Sequence, residues 1–128
     1  MTWSVTHHPD LGMVETMYDG MLSGQDIAQA AQATMAQAQA TGSLLVLANC
    51  AGLQGGHTLA DLYFLARDVQ QMPTAQRFHE AVLLPTAPAA RATAQFWETT
   101  AANCGLQVRA YTERGAALAW LEQHRRLG

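Results

Sequence analysis

The chain has 128 residues, the size of one domain and long enough for a single buried core. Hydrophobic residues make up 49 % and charged residues only 13 %, which excludes a disordered chain. The formal charge is −3, every basic residue is Arg, and the one adjacent basic pair is Arg125-Arg126, so the basic stripe of a nucleic-acid binder is absent.

No apolar run approaches the roughly 18 residues of a membrane span, and no basic-then-apolar leader opens the sequence. The expectation is a soluble, cytoplasmic α/β domain. Cys50 and Cys104 lie far apart and form no Cys-x-x-Cys pair, so neither a metal site nor dithiol chemistry is expected, and no cofactor is implied.

Trp3 to His8 and Met13 to Tyr18 read as strands around the turn Pro9-Asp10-Leu11-Gly12, an antiparallel hairpin. His7 and His8 must then point to opposite faces and cannot share one ion. Gln25 to Ala40 reads as a helix, with Ile27, Ala30, Ala31, Thr34, Met35 and Ala38 on one face. Ser23 with Asp26 forms a capping box, and Gly42 suits a left-handed stop. The small alanine face predicts close packing on a sheet.

Ser43 to Ala48 lacks alternation, as expected of a strand buried on both faces. Asn49 to His57 reads as a flexible loop because of Gly52, Gly55 and Gly56. A helix follows from Leu59 to Gln71, capped by Thr58 with Asp61. Leu59, Leu62, Tyr63, Ala66 and Val69 are expected on its inner face, with Phe64 and Leu65 widening the apolar arc. Phe78 to Leu84 is the next strand. Ala87 to Asn103 is a helix with Thr86 as cap and Phe96 and Trp97 in the core. Leu106 to Tyr111 is the last strand. Glu113 to Leu127 is the last helix, with Ala117, Trp120, Leu121 and His124 on one face. The alternation predicts an α/β fold: a five-stranded mixed sheet, largely parallel after the hairpin, with four helices.

Three stretches carry a family resemblance. They are Tyr18-Asp19-Gly20-Met21-Leu22-Ser23 with Asp26-Ile27, the strand from Leu44 to Asn49, and Val108-Arg109-Ala110-Tyr111 followed by Ala116 to Leu121. Together with the element order, they resemble the SpoIIAA-like (STAS-like) superfamily along nearly the whole chain, as one domain over 1–128. Its members include antagonists of anti-sigma factors and domains attached to anion transporters. The resemblance implies a non-enzymatic regulatory or ligand-binding module. In regulatory members a Ser or Thr opening the helix after the central strand is phosphorylated. Thr58 stands at that position, although the familiar Asp-Ser pair is missing and Asn49 replaces a common acidic residue. More distant members are similar to binders of small apolar ligands or membrane surfaces.

The expected binding region is therefore the loop and helix after the central strand: Asn49, Cys50, Leu53, Gly55, Gly56, His57, Thr58, Leu59, Leu62 and Phe64. The glycine loop and helix would open as a lid over an apolar pocket. Backbone N–H groups at Thr58 to Asp61 could hold an anion, and Arg91 could add positive charge. A protein partner, a small apolar or lipid ligand, a peripheral membrane contact and a second copy of the chain all fit this surface. Two other readings remain: a small enzyme using Cys50 as nucleophile with His57, and a structural homodimer built on the helix that carries Phe64. No Gly-x-Ser-x-Gly, phosphate-loop or His-Glu-x-x-His motif is present.

Overall fold

The computed structural model describes residues 2–127. Strands β1 (Thr2–His8) and β2 (Met13–Met21) form the antiparallel hairpin, and Val5 pairs with Thr16 at its middle. The chain then alternates through α1 (Gly24–Thr41), β3 (Leu45–Gly55), α2 (Leu59–Gln70), a 3-10 turn (Ala75–Arg77), β4 (His79–Leu83), α3 (Pro88–Asn103), β5 (Gln107–Tyr111) and α4 (Arg114–Leu127). The sheet order is β1-β2-β3-β4-β5, with every pair after the hairpin parallel. The expected mixed sheet and helix count are both met.

That order determines where the helices lie. From β2 to β5 the strands advance in one direction across the sheet. Parallel crossovers share one hand, so α1, α2 and α3 fall on the same face. They pack there on Tyr18, Ala48, Cys50 and Val82 through Ile27, Ala30, Leu62 and Ala94. The opposite face receives only α4, whose Ala117 and Leu121 cover Met13, Leu45, Leu47, Ala81 and Leu83. This helix covers the Met13 end of β2 and leaves the rest of the hairpin's face open. Ser4, Thr6 and Met17 are therefore exposed on that side.

Local signals behave as their chemistry predicts. Ser23 and Asp26 exchange both bonds of a capping box, and so do Thr58 and Asp61. Gly42 ends α1 with φ 73°, in the left-handed region. Leu45 to Ala48 is buried on both faces. The cap of α3 differs from expectation. Ala87 occupies the cap position without a side-chain bond, and Pro88 opens the helix, where a missing N–H costs nothing.

Two larger expectations are corrected. Residues 49–55 are strand, not loop, because β2 also continues and pairs with them: Met17 with Asn49, Asp19 with Gly52, and Met21 with Gly55. The loop shrinks to Gly56, His57 and Thr58. It is tied down by the Leu22 N–H, which donates to the Gly55 carbonyl at 2.8 Å. A glycine-rich hinge for a lid is therefore missing. On α2, Leu62, Leu65, Ala66 and Val69 face inward, whereas Leu59, Tyr63 and Phe64 are exposed. The sheet beneath accommodates one stripe of the helix, so the surplus apolar arc points outward.

Candidate functional site

Between the sheet and helices α1–α3 lies a cavity of about 110 Å³. Its walls are mostly aliphatic and aromatic, including Ile27, Val46, Leu53, Leu62, Val82 and Trp97. The small residues Ala31, Ala48 and Ala94 also line it and leave the space unfilled. Close-packed interiors rarely contain voids larger than a water molecule.

Polar groups interrupt this wall at a few points. Thr16 on β2 and Thr34 on α1 pair their hydroxyls, and the Thr34 hydroxyl also donates to the Ala30 carbonyl at 2.7 Å. Glu80 on β4 accepts a 2.7 Å hydrogen bond from the Trp97 indole N–H. Burial pushes the Glu80 carboxyl up to about 6, opposed by that Trp97 bond. Burial also pushes the Tyr18 phenol up, with the neighbouring Cys50 and Glu80 charges adding to it. His57 lines the cavity with a buried Nδ1 that has no hydrogen-bond partner.

The expected binding residues separate into three groups. Cys50, Leu53, His57 and Leu62 meet at the cavity. Leu59 and Phe64 lie on the outer surface of α2, and Gly55 and Gly56 form its entry turn. Asn49 lies on the opposite sheet face because successive strand residues alternate. There its Nδ2 donates to Glu15 at 3.1 Å. Thr58 is exposed, but its hydroxyl accepts from the Asp61 N–H and its own N–H donates to the Asp61 carboxylate. The expected anion cradle at this helix start is thus already occupied by a side-chain carboxylate. Arg91 donates from Nε to the Pro85 carbonyl at 3.2 Å.

The Cys50 nucleophile finds no support in this geometry. Burial, reinforced by the nearby Glu80 charge, holds the thiol far above its ordinary range. Among the described residues no hydrogen bond joins it to His57. Thiolate is the reactive species. A disulfide-exchange reagent is therefore expected to label half-buried Cys104 first, and Cys50 only at the rate of unfolding. Equal, rapid labelling of both thiols in the folded protein would contradict this assignment.

Two groups escaped the sequence reading. Glu80 carries the same strand parity as Phe78 and Val82, so a charge on a core face was visible in principle. The other is Glu15, whose carboxylate takes both Arg114 guanidinium nitrogens at 2.8 and 2.9 Å. His8 Nε2 lies 2.9 Å away and donates, since an ionised carboxylate only accepts. These partners hold Glu15 at about 2, with the Arg114 bond as the largest cause. Arg114 lies 99 positions away in sequence, and no local pattern announces the pair.

No family model matches the chain, and no curated protein matches it. Among solved structures it is similar to an uncharacterized protein of the DUF3478 family with a SpoIIAA-like fold from Shewanella loihica PV-4. The TM-score is 0.54 at 18 % identity, over 94 % of this chain and 92 % of that one. The chain has a SpoIIAA-like fold. At this identity the likeness speaks for the fold alone. No helix among the described residues is long and apolar enough to cross a membrane.

Proposed function

We propose that this SpoIIAA-like chain is a binding module that holds a small apolar molecule between the sheet and helices α1–α3. The cavity carries the reading. It is apolar, it lies beneath the helix that follows the central strand, and small side chains keep it open. The reading needs no thiol chemistry, and burial of Cys50 in the cavity wall disfavours a cysteine nucleophile there. An apolar cavity of about 150 Å³ accepts benzene or xenon, so a space of this size suits a compact branched group.

The test is thermal unfolding with isobutanol or under xenon. A ligand that binds only the folded state at ten times its dissociation constant adds about 1.4 kcal/mol. The expected result is a rise in melting temperature in the native chain. Ala48→Leu, which fills the cavity from β3, should abolish that rise. A native protein that neither ligand stabilises would overturn the reading.

A further inference from the structure

Among the described residues the cavity wall contains one carboxyl group, Glu80, and no Arg. Thr16 and Thr34 spend their hydroxyls on each other. Trp97 on α3 donates the one hydrogen bond that the described residues give the Glu80 carboxyl. The other titratable groups at this space are Tyr18 on β2 and Cys50 on β3, both held protonated by burial, and His57 at the entry to α2, whose buried Nδ1 has no hydrogen-bond partner. Glu80 is half-buried and lines the cavity.

A carboxylate against an apolar wall is costly unless it is paired. Above pH 6 Glu80 is largely ionised, with only one donor. An ammonium group would supply both the missing charge and the missing hydrogen bonds. Resting on the cavity reading above, we infer that the ligand is a small branched or aromatic amine, bound as its ammonium form with the nitrogen on Glu80 and the apolar body among the surrounding aliphatic side chains. A neutral or anionic isostere leaves the carboxylate unpaired or faces it with like charge.

Isobutylamine, isobutanol and isobutyrate have nearly the same shape and differ in charge. The full chain can be titrated with each at pH 7.5, following the Trp97 indole N–H by NMR. That reporter is bonded to Glu80 itself. The amine is expected to bind at least tenfold more tightly than the alcohol, with isobutyrate weakest. The preference should collapse by pH 5, where Glu80 is protonated, and in Glu80→Gln. The native pH profile provides the same answer if that variant does not fold. Isobutanol binding as well as the amine, or an amine preference that survives Glu80→Gln or pH 5, overturns the amine assignment and leaves the apolar site standing. If none of the three compounds perturbs Trp97, both readings fall.

Discussion

Replacing Gly56 with alanine is expected to cost at least about 3 kcal/mol of folding free energy. Two independent penalties meet at this position. Gly56 has φ 103°, a backbone conformation that L side chains rarely adopt. A Cβ there would also stand 2.6 Å from the Leu22 carbonyl oxygen and 2.8 Å from its nitrogen. These are backbone atoms, so no rotamer change relieves the contact. The clash falls where the Leu22 N–H bonds the Gly55 carbonyl, which joins the β2–α1 connection to the β3–α2 connection. Gly42→Ala is the control. Gly42 also has positive φ, but a Cβ would meet nothing within 4 Å. Its expected cost is about 1 kcal/mol, from backbone strain alone. Urea unfolding of both variants separates clash from strain. Equal losses would show that the Leu22 contact yields without penalty.

Arg114→Met is expected to destabilise the fold by about 2–3 kcal/mol at pH 7. The substitution keeps the apolar stem of the side chain and removes the fork that holds Glu15. The Glu15 side chain is only 9 % exposed, so its carboxylate would keep His8 and Asn49 but lose its main counter-charge. Arg114 itself is 43 % exposed, which places the effect below that of a fully buried pair. The pH dependence has a definite sign. Glu15 titrates at about 2 in the fold against 4.5 ordinarily, so the folded state binds its proton less readily than the unfolded chain. The resulting stability is present above about pH 5 and is lost as pH falls toward 2. Glu80 has the opposite sign, because burial raises it to about 6. Its contribution is present below 4.5 and is lost as pH rises through 6. Unfolding of the native chain and of Glu15→Gln across pH 2–7 should therefore converge at the acid end. Curves that stay parallel to pH 2 would remove the ion pair from the account of stability.

The local layer of this fold was legible in the residues. Ser23-Asp26 and Thr58-Asp61 each satisfy two helix-start N–H groups within one turn of chain, so the pattern is sufficient to predict the bonds. The unalternating run from Leu45 to Leu47 announced a strand buried on both faces, and α4 packs on the face that carries Ala117 and Leu121. Reading failed where pairing overrode propensity. Asn49 to Gly55 holds glycines that suggest a loop, yet a neighbouring strand supplied its hydrogen bonds and made it sheet. On α2 the apolar arc was visible. Which part of it faced inward depended on the width of the layer beneath, so Leu59 and Phe64 point outward and Leu65 inward.

The candidate site divides in the same way. Cys50, Leu53, His57 and Leu62 were picked out from their place after the central strand, and they do meet at one cavity. Glu80 and Trp97, which give that cavity its polar end, come from β4 and α3.

Periodicity, caps and turn residues act over a few positions, and they suffice for the order of the main strands and helices and for the mixed sheet, but not for where β2 and β3 end. Three helices on one face and one on the other, a void left between them, and a carboxylate anchored 99 positions along the chain required the assembled molecule. Charge, burial and free volume at a side chain are properties of everything packed around it, and most of those neighbours are remote in sequence.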